Sequence, residues 1–272
     1  FFGVSYTLLH VTPFCADMDN DHDVDCLVGN ENGRVYYYEN TGSASDAGYF
    51  PFSTASFVAS STDLFGVRQT SQNDLYSAPF CADFDNDGDM DCIVGVEKSS
   101  SQRSNVHYFE RTGNNFSWVT DNFFDVPEFA GSDISTYSKP YCLDFDLDSD
   151  LDCLLGDASG NVHYLRNDGT PESYAWTYIT DNAFEHINSR NDTAFGGYAA
   201  PVCVKKDGIL PVISCNEDEC HEGDFECFVA DGNGVVKQFS KRNIKAFPSF
   251  TPTASPTSFP SRSPTLQPTA LP

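Results

Sequence analysis

The apolar and polar positions of this chain repeat in four long cycles. Each cycle opens on a proline followed by an apolar or aromatic residue and a cysteine: Pro13-Phe14-Cys15-Ala16-Asp17, Pro79-Phe80-Cys81-Ala82-Asp83, Pro140-Tyr141-Cys142-Leu143-Asp144 and Pro201-Val202-Cys203-Val204-Lys205. The intervals are 66, 61 and 61 residues, long enough for one supersecondary unit per copy. An acidic loop comes next, then an apolar run such as Cys26-Leu27-Val28-Gly29 or Cys92-Ile93-Val94-Gly95, then a turn and a β-branched or aromatic run such as Val35-Tyr36-Tyr37-Tyr38. Copies three and four give Cys153-Leu154-Leu155-Gly156 with Val162-His163-Tyr164-Leu165, and Cys227-Phe228-Val229 with Val235 to Phe239. A further strand is expected at Phe116 to Val119, at Tyr174 to Thr177 and, in the first copy, at Phe52 to Val58.

Several of these runs are apolar on consecutive residues, so their sheets should be covered on both faces. Short antiparallel strands, four to a unit and stacked on neighbouring units, predict an all-β chain: a partial β-propeller of about four four-stranded blades. The repeats occupy residues 1–245, with the first truncated and the fourth degenerate. Phe1-Phe2-Gly3-Val4 matches Leu64-Phe65-Gly66-Val67 and Phe123-Phe124-Asp125-Val126, so the chain opens inside a repeat and more blades are expected upstream. Residues 246–272 change character: prolines recur every fourth position from Pro248 to Pro272, with Ser or Thr after the first six, which predicts an extended linker or stalk.

Composition sharpens this picture. With 40 acidic against 15 basic residues the formal charge is −25, which disfavours nucleic acid and anionic membranes as partners and favours cations. Ten cysteines at repeated spacings point to disulfides and an oxidising compartment, hence an extracellular, secreted or cell-surface protein. The recurring eleven-residue offset predicts Cys15–Cys26, Cys81–Cys92 and Cys142–Cys153; in copy four, Cys203–Cys227 and Cys215–Cys220 are the analogous pairs. Two N-glycosylation sequons, Asn115-Phe116-Ser117 and Asn191-Asp192-Thr193, agree with that compartment.

The chemistry lies in the acidic loops. Asp17, Asp19, Asp21, Asp23 and Asp25 alternate with other residues, as do Asp83, Asp85, Asp87, Asp89 and Asp91, and Asp144, Asp146, Asp148, Asp150 and Asp152. Carboxylates this dense repel one another unless a cation sits among them, and calcium accepts six to eight hard oxygen ligands. Loop positions 1, 3 and 5 would supply side chains, position 7 its carbonyl and position 9 a closing carboxylate, giving about three Ca²⁺ sites. Position 6 needs a tight turn, yet only Gly88 is glycine there; His22 and Ser149 fill it in the other loops. The fourth copy offers Asp218, Cys220, Glu222, Asp224 and Glu226, a doubtful site.

These loops, best seen in Ala78 to Asp89 together with Tyr37-Tyr38-Glu39-Asn40-Thr41-Gly42, resemble the FG-GAP/VCBS repeats that also build the propeller of integrin alpha subunits. The resemblance spans essentially residues 1–245 and implies a secreted or cell-surface propeller that holds calcium at its rim and binds proteins or glycans. The function expected is a non-catalytic binding or adhesion module; the alternative is the propeller domain of a secreted polysaccharide-active lyase or hydrolase. No Gly-x-Ser-x-Gly elbow, phosphate loop or His-Glu-x-x-His motif is present, and His107 and His163 share one repeat position with Tyr36 and Lys237, which marks a packing slot. Tyr76, Tyr137 and Tyr198 either line a ligand face or pack between blades, packing being the simpler expectation.

Overall fold

A computed structural model describes residues 10–41, 57–61, 63–65, 75–97, 106–113, 115–126, 137–146, 148–180, 183–184, 197–205 and 225–240. These form strands and no helix, in four antiparallel sheets that are consecutive blades of a β-propeller. Blade one runs β1 (Thr12–Ala16), β2 (Asp25–Gly29), β3 (Val35–Asn40), β4 (Phe57–Ser61). Blade two runs β5 (Leu75–Ala82), β6 (Asp91–Glu97), β7 (Val106–Thr112), β8 (Asn115–Thr120). Blade three runs β9 (Lys139–Leu143), β10 (Asp152–Gly156), β11 (Val162–Asn167), β12 (Trp176–Thr180), and blade four β13 (Ala200–Lys205), β14 (Phe225–Ala230), β15 (Val236–Ser240).

Sequence placed the inner three strands of every blade. The outer strand of blade three, Trp176–Thr180, lies a few residues later than the expected Tyr174 to Thr177; that of blade one is described at Phe57–Ser61, and residues 52–56 of the expected run fall outside the described residues. The Pro-rich segment, the fourth acidic loop from residue 206 to 224 and the pair Cys215–Cys220 fall outside the described residues.

Each first strand packs on the first strand of the next blade. Between blades, Leu27 and Val35 meet Cys81, Cys92, Val94 and Phe109; Phe80, Ile93 and Val106 meet Cys142, Cys153 and Leu155; Leu154 and Val162 meet Cys203, Cys227 and Val229. One face of each sheet therefore carries its disulfide and the other a plain apolar set, and the two kinds of face mate at every junction. This double coverage is why β2, β6 and β10 are buried on consecutive residues. The disulfides Cys15–Cys26, Cys81–Cys92, Cys142–Cys153 and Cys203–Cys227 join residues directly opposite one another in the ladders, the first three at the recurring eleven-residue spacing and the fourth as the analogous pair of copy four.

The glycine at the fifth position of the second strand in blades one to three has a specific cause. A methyl group on Gly29, Gly95 or Gly156 would lie 2.1, 2.0 or 2.1 Å from the backbone oxygen of Ser77, Ser138 or Ala199 at the entry to the next blade. Blade four has Ala230 at this position. The face it would turn toward a following blade is open: Val202 is 49% and Phe228 37% exposed, where their counterparts Phe80 and Ile93 are buried.

The substitution Gly95→Ala should therefore cost about 3 kcal/mol by forcing two blades apart, whereas Ala230→Gly should cost under about 1 kcal/mol. Chemical denaturation of the two variants checks the contrast.

Candidate metal centres

The three acidic loops join the first and second strands of blades one to three and share one internal architecture. The backbone N–H at position 6 donates to the position 1 carboxylate: His22 to Asp17 at 3.1 Å, Gly88 to Asp83 at 3.1 Å, Ser149 to Asp144 at 3.3 Å. The position 7 N–H donates to position 5: Asp23 to Asp21 at 2.8 Å, Asp89 to Asp87 at 2.8 Å, Asp150 to Asp148 at 3.2 Å. This winding requires left-handed backbone at position 6, where φ is 75° at His22, 93° at Gly88 and 82° at Ser149. The turn inferred from Gly88 is thus present in all three loops, with strain of about 1 kcal/mol or more where the residue carries a Cβ.

The winding brings carboxylates together. One oxygen from each of Asp17, Asp19 and Asp21 lies within 4.8 Å of the others, and the same holds for Asp83, Asp85 and Asp87 and for Asp144, Asp146 and Asp148. Positions 1, 3 and 5 therefore converge as the alternation predicts. Buried oxygens of Asp17, Asp146 and Asp150 have no hydrogen-bond partner, a costly state that a cation would relieve. At position 7, Asp23 and Asp150 are buried, while the Asp89 carboxylate accepts from Gly113 N–H at 2.8 Å.

Position 9 is occupied differently from a simple closing ligand. Asp25, Asp91 and Asp152 are fully buried, with both oxygens bonded inside the blade. Asp25 accepts from Asn40 N–H at 2.7 Å and Tyr37 O–H at 2.8 Å; Asp91 from Arg111 N–H at 2.8 Å and Tyr108 O–H at 2.9 Å; Asp152 from Asn167 N–H and Tyr164 O–H, both at 2.9 Å. These aspartates clamp the third strand onto the loop and stand behind the converging triads. In blade four the same positions hold Glu226 and Gln238, and the Gln238 amide still donates to Glu226.

Sequence reasoning missed the tyrosines, although their recurrence on the third strands of blades one to three, at Tyr37, Tyr108 and Tyr164, was a usable signal. It also missed Arg111, which donates to the carbonyls of Met18 and Gly113 and lies over the Phe116 ring at 5.6 Å, tying blade two to the first acidic loop. Beside this tie Asp19 borders a cleft of about 270 Å³ lined also by Glu39, Leu64 and Phe116.

Electrostatics agree with crowding. Burial and then the neighbouring Asp148 charge push Asp146 up to about 6 and Asp150 up to about 7; burial, partly offset by the Asn167 N–H, pushes Asp152 up to about 7. Asp91 rises to about 6, and Asp19, Asp25 and Asp85 are also raised, burial being the first cause in each. All the converging donors are oxygens, with no Cys or His among them, so the groups suit a hard divalent cation.

A second constellation sits at the opposite end of the inner strands. His10, Tyr76, Tyr137 and Tyr198 occupy one repeat position and are all left-handed, with φ of 52°, 55°, 57° and 67°. Their rings form a row, His10 to Tyr76 at 5.3 Å, Tyr76 to Tyr137 at 4.3 Å and Tyr137 to Tyr198 at 4.6 Å between centroids. Backbone bonds from Tyr76 to Glu31 and from Tyr198 to Ala158 fix the row on the turns of preceding blades. The tyrosines thus pack on one another across blades and remain partly accessible. The Tyr137 hydroxyl lies within hydrogen-bonding reach of Glu97 and Tyr76.

His107 and His163 are both buried, as a packing slot requires; His163 adds contacts to Asp157 at 3.0 Å and Tyr178 at 3.1 Å.

Among known proteins, a family model described as FG-GAP-like repeat matches residues 17–94, from the first acidic loop to the second strand of blade two. No curated protein sequence matches the chain.

Raised carboxylate pKa values fix the sign of a pH response. Without metal, the folded state holds protons that the unfolded chain has released, so stability is greatest at low pH and is lost as pH rises through about 6 to 7. With metal bound the slope must reverse, since protons then compete for the ligands. Thermal melts of chelator-treated protein from pH 5 to 7.5, with and without added divalent cation, should show melting temperatures changing in opposite directions.

Proposed function

We propose that this protein, whose residues 17–94 match the FG-GAP-like repeat, is an extracellular, non-catalytic binding or adhesion module whose blades are stabilised by Ca²⁺ in three loops. The observation that carries the reading is the threefold convergence of Asp17, Asp19 and Asp21, of Asp83, Asp85 and Asp87, and of Asp144, Asp146 and Asp148, with buried, unpartnered oxygens at Asp17 and Asp146. Several crowded oxygen-only donors favour calcium, with its six to eight ligands, over magnesium, which demands a tighter octahedral shell. The ion would neutralise each loop; the position 9 aspartates and their tyrosines would hold the third strand against it.

Four disulfides support an oxidising, extracellular setting. The non-catalytic part of the reading is supported by the repetition of the acidic groups, which serve equivalent loops, and by the burial of the Asp157 and His163 pair, 2% and 1% exposed, out of a substrate's reach. The ligand expected is a protein or glycan at the cell surface or in the matrix. The aromatic row from His10 to Tyr198 is the surface we assign to it: rigid rings held by strained backbone offer contact area at low entropic cost.

Calorimetric titration of the demetallated protein tests the calcium reading. Three equivalents should bind, two in a variant with Asp83, Asp85 and Asp87 changed to Ala, and calcium at a thousand times Kd should add about 4 kcal/mol of stability for each site filled. Absence of calcium heat, or unchanged stoichiometry in the variant, would defeat it. For the ligand surface, Tyr137→Ala should abolish capture on glycan and extracellular-protein arrays while leaving calcium stoichiometry intact; unaltered capture would move the ligand elsewhere.

A further inference from the structure

We propose that Asn115 carries an N-linked glycan that covers the exposed outer edge of blade two, an assignment that rests on the extracellular reading above. The sequon Asn115-Phe116-Ser117 lies in β8, the last strand of its sheet. Its register with β7 pairs Thr112 with Asn115, Glu110 with Ser117 and Arg111 with Phe116. Thr112, Glu110, Asn115 and Ser117 are all exposed, so the two side chains that the modification requires share a solvent face. Phe116 turns the other way, under the Arg111 guanidinium, and anchors the strand. A substituent on Asn115 would displace no packed group.

The edge has a physical need for cover. Trp118 is 51% and Val119 45% exposed, and among the described residues β8 pairs on one side only, leaving its other backbone edge as a template for a foreign strand. No proline or lysine in Asn115–Thr120 blunts it. The hairpin tip is held in place, since Gly113, in left-handed geometry at φ 62°, donates its N–H to Asp89 of the second acidic loop. A bulky hydrated oligosaccharide two residues beyond that anchor, at the start of β8, would sit over the strand and exclude a pairing chain.

In the modification, the Asn115 side-chain nitrogen bonds to the anomeric carbon of a lipid-linked oligosaccharide donor; the lipid diphosphate leaves and the amide loses one proton, with no change of oxidation state. The alternative occupants of the edge are a strand from a second copy or from a partner protein, and both would need the edge bare.

The chain secreted from eukaryotic cells gives the test. Glycopeptide mass spectrometry should find Asn115 occupied, Asn115→Gln and Ser117→Ala should each lose that glycan, and Ser117→Thr should keep it. By light scattering at matched concentration, Asn115→Gln should show a several-fold higher aggregated fraction than the glycosylated chain. Protein recovered from the medium with Cys81–Cys92 intact and Asn115 unmodified would overturn the proposal while leaving the extracellular reading standing. Protein retained inside cells with reduced thiols would overturn both. A glycosylated chain whose Asn115→Gln variant stays equally monodisperse would overturn the shielding role.

Discussion

The contact on which the architecture depends is the seating of one blade's entry carbonyl on the bare Cα of the preceding blade. At Gly29, Gly95 and Gly156 this approach leaves no space for a side chain, so the distance between sheets is set by backbone and not by the size of core residues. The aromatic row follows from the same contact. Each ring immediately precedes the residue whose carbonyl makes the approach, Tyr76 before Ser77, Tyr137 before Ser138 and Tyr198 before Ala199, and left-handed backbone at the aromatic is what turns that carbonyl onto the glycine. Row and junction are one device seen from two sides.

At the other end of the inner strands the governing force is charge. The acidic loops fold by satisfying their own N–H groups with their own carboxylates, which draws three anions to within 4.8 Å of each other. Hydrogen bonding and Coulomb repulsion thus oppose one another within nine residues, a conflict that a divalent cation among the carboxylates would relieve. The disulfide beside each loop, opposite in register on the two strands, keeps the loop ends together whichever protonation or metal state holds.

Much of this was legible in the sequence because repetition multiplied weak signals. One Asp-x-Asp-x-Asp is an acidic loop, but three between the same strand pairs placed the loops, while the recurring cysteine offset gave the disulfide partners and the four Pro-x-Cys copies the blade count. The outer strand of blade three was placed less well, since the aromatic run that marks it begins at Tyr174 while its pairing with β11 begins only at Trp176 and runs on to Thr180. The position 9 aspartates looked like ligands by analogy with the rest of the alternation. Their burial against Tyr37, Tyr108 and Tyr164 depends on a third strand fifteen residues or so downstream, and only the folded register of β3, β7 and β11 brings the phenols within reach.

Blade four separates the roles that the other loops combine. It keeps the disulfide Cys203–Cys227 and the strand pairing, but its clamp is Glu226 with Gln238 and not an aspartate with a tyrosine. A longer acid and a neutral amide restore the hydrogen bond across β14 and β15 on a face that is partly exposed, without the buried carboxylate found at Asp25, Asp91 and Asp152. Fixing the third strand to the second is therefore a requirement of the blade itself, met by whichever pair spans that gap. The buried aspartate and phenol add something more specific: they place behind each of the three converging triads a carboxyl that burial makes easy to protonate, so its charged form, and with it the full pull on a cation, would be favoured when a cation fills the loop.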